Sequence, residues 1–179
     1  MSGQPDEAHA LSAAARLSAA QRADAPLFLP YLWGASARRT TMRARALFHG
    51  LGHEHDAAAL VWSVIEGVSF GLRDGLACMP ASLRARLSGL DLVGGGARSE
   101  LWAQLLADVL EVPLRVCADA SGGAAVGAAR PGALAAGRPP EQVLQAPRGP
   151  QRSFEPNPAV RELLLERHAC FRELYAACH

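Results

Sequence analysis

Residues 90–110 read LDLVGGGARSELWAQLLADVL. Leu90 to Val93 predict a short strand, and Gly94, Gly95 and Gly96 predict a turn. Leu101, Leu105, Leu106 and Val109 then mark one side of a helix that starts at Ser99 or Glu100 and ends at Leu110. A strand running into bare glycines and a helix start places unpaired N–H groups at one edge of a sheet, where phosphate or purine groups can lie. A tight strand-to-helix turn with no ligand has the same pattern, and the residues alone leave both readings open. The dinucleotide fingerprint G-x-G-x-x-G is not met, because Ser99 stands where its third glycine belongs.

The flanking sequence makes the alternation α/β. Residues 113–117 predict another strand. Residues 122–137 predict a small-residue helix interrupted by Pro131 and Gly132, and proline inside a helix predicts a kink or an early end there. Upstream, Asp56 is a good N-cap for a helix in which Leu60, Val61, Val64, Ile65, Val68, Leu72 and Leu76 recur every three or four residues up to Met79 and Pro80. Gly67, Gly71 and Gly75 share one face of it and predict close approach of another backbone along that face.

Residues 1–25 form a weakly ordered or helical segment, with a weak helix over 11–22. An extended FLPYLW follows Pro26, then an arginine-crowded loop over 34–45 and the run ALFHGLG. The lobe itself spans 26–138. Residues 139–156 read as a Pro-, Gln- and Arg-rich connector, and 157–179 as a closing helix capped by Asn157 with Pro158 at its first position.

Length and charge narrow the function. The 179 residues suit one domain, and eighteen basic against seventeen acidic residues leave a formal charge of +1, which removes the electrostatic case for nucleic-acid or membrane partners. All the basic residues are Arg, so a Walker-type phosphate loop and a Schiff-base lysine are both excluded. No apolar run reaches the ~20 residues of a membrane span. The start, MSGQPDEAHA, has no signal-peptide pattern, and the four cysteines form no C-x-x-C pair, so the chain is expected to be cytoplasmic with reduced thiols. His53, Glu54, His55 and Asp56 resemble a metal cluster on paper, but neighbours in a loop seldom converge on one ion, and a solvated loop is expected. The run Arg38, Arg39, Arg43 and Arg45 is expected to be solvated as well.

FLPYLWG, FHGLGHEH, VIEGVSFGLRDGL, LVGGGARSELWAQLLADVL, GGAAVGAAR and FRELYAA follow one another over roughly residues 26–176. Their order and spacing resemble the C-terminal half of FGGY-type carbohydrate kinases, most of all xylulokinases. The resemblance implies an α/β, actin-like, ribonuclease-H-type lobe of an enzyme that closes two lobes over ATP and a ketose. It implies that Gly94, Gly95, Gly96, Ala97 and Ser99 meet the adenosine part of ATP or ADP, and that Gly122, Gly123 and Gly127 let the following helix pack close to the sheet. Mg2+ and a ketopentose, xylulose, are implied only with an N-terminal lobe that supplies the general base. No catalytic residue and no metal ligand is assigned to this chain, which is therefore expected to be inactive alone. The alternative is a non-catalytic nucleotide-binding remnant or a subunit of a split kinase. The face toward a missing lobe is expected to expose apolar surface and to favour a homodimer or that lobe as partner.

The loop after PYLWG departs from the family's Glu-Arg-Thr-Pro pattern. Ala35 to Met42 can be back-translated as GCG AGC GCA CGC CGC ACA ACG ATG, and that string read from its third base encodes Glu-Arg-Thr-Pro-His-Asn-Asp. A local shift of reading frame, through compensating small insertions and deletions or sequencing errors, is therefore expected. The nucleotide sequence of the gene tests it, and codons incompatible with that string refute it.

Overall fold

The computed structural model describes residues 7–32, 45–117, 123–144 and 151–178. Two helices open the chain, α1 (Glu7–Ala15) and α2 (Ala19–Asp24), where a single helix over 11–22 was expected. The break lies at Ser18, whose hydroxyl accepts the Gln21 N–H at 3.2 Å while the Gln21 side chain accepts the Ser18 N–H at 2.9 Å. This reciprocal cap starts a new helix instead of continuing the old one. Ala14 and Leu17 are nonetheless buried in the core.

Strand β1 (Leu27–Leu29) pairs antiparallel with β2 (Leu47–His49), and the rings of Phe28 and Phe48 lie 4.5 Å apart. The arginine run at Arg38, Arg39 and Arg43 and the altered loop over 35–42 lie outside the described residues. Helix α3 (Ala57–Ala77) begins as its sequence predicts, with Asp56 accepting the Ala59 N–H at 2.9 Å. Trp62, Ile65, Glu66, Gly67, Ser69 and Phe70 are on its buried side.

Only one of its three glycines bears out the expected close approach. A Cβ on Gly67 would stand 2.1 Å from the Phe28 carbonyl oxygen, whereas at Gly71 and Gly75 it would meet nothing within 4 Å. The contact is confined to Gly67, where β1 passes; Leu72, further along α3, is half exposed.

After the short α4 (Ala81–Arg84), β3 (Leu90–Leu92) leads through a glycine turn to α5 (Glu100–Leu110) and back to β4 (Leu114–Cys117), parallel to β3. Helix α6 (Gly123–Ala135) continues through Pro131 and is not shortened there. A proline ring in a helix bears on the carbonyl four residues back, here that of Gly127. Gly127 also faces open space, so it gives no close packing on the sheet.

The expected connector over 139–156 contains structure: α7 (Pro140–Val143) and β5 (Gln151–Phe154), which pairs antiparallel with β4 and sets Phe154 opposite Leu114. Phe154 packs beside Leu106, Ala107 and Leu114, and this burial outweighs the weak strand preference of its polar neighbours. The closing helix starts as a 3-10 turn, Pro158–Val160, in which Asn157 accepts the Ala159 N–H at 3.0 Å, and continues as α8 (Arg161–Cys178).

The main core joins these elements through Leu29, Trp62, Phe70, Leu105, Val109, Leu164 and Phe171. Arg167 of α8 reaches into it, donating to both carboxylate oxygens of Glu66 at 2.8 and 2.6 Å and to the carbonyls of Ala23 and Ala25 at 2.6 and 2.9 Å. Burial pushes the Glu66 carboxyl above the usual range, and the Arg167 guanidinium opposes that shift.

Candidate functional site

Gly94 follows β3 with φ +97° and ψ −171°, a region essentially restricted to glycine. Residues Gly95–Arg98 then make a single 3-10 turn, in which the Ala97 N–H donates to the Gly94 carbonyl at 3.2 Å and the Ser99 N–H to the Gly96 carbonyl at 3.1 Å. Ser99 is the N-cap of α5: its hydroxyl accepts the Trp102 N–H at 3.2 Å, and its carbonyl accepts the Ala103 N–H at 2.9 Å.

The turn has an inner and an outer side. On the inner side Ala97 is buried against Ala103 and Val116. A Cβ on Gly96 would stand 2.6 Å from the Trp102 ring, whose N–H donates to Ser69 at 3.1 Å; Ser69 in turn donates to the Ile65 carbonyl at 2.6 Å. The glycine thus leaves room for the indole, which ties the turn to α3. On the outer side a Cβ at Gly94 would meet nothing within 4 Å, and one at Gly95 only the Arg98 guanidinium at 3.6 Å.

This outer side opens on a cleft of about 430 Å³. Its floor is Gly95, Gly96, Arg98 and the first residues of α5, Ser99 to Trp102, and its opposite wall is α1, through Ala8, Leu11, Ser12 and Ala15. Of the five residues expected to meet a nucleotide, Gly95, Gly96 and Ser99 line the cleft. Gly94 shapes the turn, and Ala97 supports it from beneath. Sequence reasoning missed the α1 wall. Its four positions do fall at i, i+3, i+4 and i+7, one face of a helix, but nothing local says what that face meets.

The histidine cluster divides. His53 is exposed as expected, but the His55 side chain is only 7% exposed. Its Nδ1 accepts the Gly52 N–H at 2.9 Å and its Nε2 lies 3.1 Å from the Asp24 carbonyl, so it fastens the loop before α3 to the end of α2. Among the described residues no group of three or more His, Cys, Asp or Glu side chains is placed to hold a metal ion.

The model of the FGGY family of carbohydrate kinases, C-terminal domain, matches residues 2–136. The chain belongs to that family. The FGGY match takes in α1 and α2, upstream of where the sequence motifs begin. The xylulose kinase of Escherichia coli K12 is 35% identical over 166 residues, which are 90% of this chain and 34% of that enzyme. The solved xylulose kinase of Rhodospirillum rubrum superposes with a TM-score of 0.74 at 28% identity, over 99% of this chain and 35% of the other. A solved sugar kinase of the same type from Brucella ovis gives a TM-score of 0.71 at 33% identity, over 96% and 38%.

The chain thus spans about a third of the length of the relatives it matches. Its fold is that of FGGY sugar kinases, the actin-like ATPase fold. FGGY kinases use ATP and a divalent metal. The bare turn beside the start of α5 fits the nucleotide, since backbone there lies open to the cleft and α5 directs its positive end the same way. The described residues offer no matching acidic set for the metal. No helix among them is long and apolar enough to cross a membrane.

Proposed function

We propose that this chain is the C-terminal lobe of an ATP-dependent kinase that phosphorylates a ketopentose, xylulose. Gly95, Gly96 and Ser99 hold the adenosine part of ATP or ADP, on a turn that Gly94 and Ala97 shape from behind. The observation that carries this reading is the cleft at the glycine turn, in a chain whose similarity to xylulose kinases runs over nearly its whole length. The chain's own contribution is binding and orientation: exposed backbone at Gly95 and Gly96 receives a flat ring, and Leu11 and Ala15 of α1 give it an apolar wall. Phosphoryl transfer depends on positioning and on charge stabilisation by metal and donors. This lobe carries neither the general base nor the sugar site, and it does not turn over alone. Metal and sugar belong to the complete enzyme.

Calorimetric titration with ADP tests the site, with binding by the native chain and its loss in Gly96→Val as the expected result. An ADP-release assay with xylulose tests the rest. Turnover by the purified chain alone refutes the inactive-lobe reading. Turnover only after addition of an N-terminal half favours a second reading, a subunit of a split kinase.

A further inference from the structure

Two charged side chains line the cleft at the glycine turn, Arg98 and Glu100. The Glu100 carboxylate is taken by Arg152 of β5 at 2.5 Å, and Arg152 also reaches the Ala97 carbonyl at 3.4 Å. Arg98 is exposed, and among the described residues no carboxylate or carbonyl engages its guanidinium. Its Nη2 stands 3.6 Å from where a Cβ on Gly95 would lie, so the side chain turns back beside the bare backbone on the outer side of the turn. The other flat side chain of the cleft, Trp102, is already committed: its N–H donates to Ser69, and its ring fills the space beside Gly96. Opposite Arg98 and the turn stand Leu11 and Ala15 of α1.

We infer that Arg98 is a binding residue of this cleft, and that its guanidinium stacks on the purine ring of the nucleotide. This rests on the nucleotide reading above. A guanidinium is planar, delocalised and weakly hydrated, so covering it with a flat ring costs little solvation, and its charge is attracted to the ring's π-face. A ring that enters between Arg98 and α1 has the cation on one face and the Leu11 and Ala15 side chains on the other. A phosphate in the same place would gain the charge of Arg98 but would face Leu11 and Ala15, which carry no side-chain donor. The arrangement therefore favours the base over the phosphates as the partner of Arg98. The Arg152 pair contributes as well, because it occupies the one neighbouring carboxylate of the cleft that could draw Arg98 off the ring.

The test is calorimetric titration of the native chain and of Arg98→Ala with ADP and with adenosine, at one salt concentration. Stacking predicts that Arg98→Ala weakens both ligands by the same factor, about three- to thirtyfold. The urea midpoint is expected to stay unchanged, because the side chain is exposed. Arg98→Lys keeps the charge without the plane and is expected to bind both ligands more weakly than the native chain, again by one common factor. Should Arg98→Ala disturb the fold, this conservative variant carries the test. A loss confined to ADP, or native affinity in Arg98→Lys, puts the guanidinium on a phosphate and overturns stacking, as does a native chain that binds ADP but not adenosine. Unchanged affinity for both ligands in Arg98→Ala removes Arg98 from the site altogether. Each of these results leaves the nucleotide reading standing. Failure of the native chain to bind ADP overturns that reading, and the role of Arg98 falls with it.

Discussion

A methyl group on Gly67 collides with the Phe28 carbonyl oxygen, and the same methyl on Gly71 enters open space on the same helix. Gly67→Ala is therefore expected to lower stability by about 1–3 kcal/mol or more, through displacement of β1 from α3. Gly71→Ala is expected to raise it by about 0.4–1 kcal/mol, because alanine narrows the unfolded ensemble and favours helix. Urea unfolding of the two variants reads this opposite sign directly. At the turn, Gly96→Ala places its Cβ against the Trp102 ring and breaks the indole bond to Ser69. Its expected effect is a loss of about 1–3 kcal/mol accompanied by weakened ADP binding, checked by unfolding and calorimetry on the same sample.

Among the elements, α8 adds one buried ion pair to the packing of Leu164 and Phe171. Arg167→Met leaves the Glu66 carboxylate in the core without its ion-pair partner and is expected to cost about 3–5 kcal/mol. Adding Glu66→Gln should recover part of that loss, with the remainder reporting the Ala23 and Ala25 carbonyls that Arg167 also satisfies. Urea denaturation of the single and double variants checks both. Helices α3 and α5 were legible from local signals, since Asp56 and Ser99 cap them and apolar residues recur at helical spacing. The glycine turn was legible for the same reason. Strand β5 was not: Gln151, Arg152 and Ser153 carry no strand signal, and only pairing with β4 and burial of Phe154 make them one. The α1 side of the cleft depends on a tertiary contact, which explains why Leu11 and Ser12 were not singled out. Pro131 does not end its helix, which runs on to Ala135.

The whole molecule is joined at Glu111, which sits just past α5 and pairs with Arg73 of α3 and Arg161 of α8. Partial burial pushes this carboxyl upward, but the two guanidinium groups outweigh that and hold it below the usual range. A carboxyl depressed in the folded state stabilises above the pKa of the unfolded chain, and that contribution is lost as pH falls through the lower folded value. Melting temperature is therefore expected to fall on acidification from the ordinary glutamate range downward. Glu111→Gln should be less stable at neutral pH and show a flatter acid limb, and a melting series against pH checks it.

Arg167 clasps the carbonyls of Ala23 and Ala25 from 144 and 142 positions further along the chain. A ribosome making this polypeptide must release Arg167 before that clasp can close, so the first helices wait through the synthesis of more than a hundred following residues without their anchor. Nascent chains stalled before Arg167 should accordingly be cut near Ala23 by a protease that spares the finished protein.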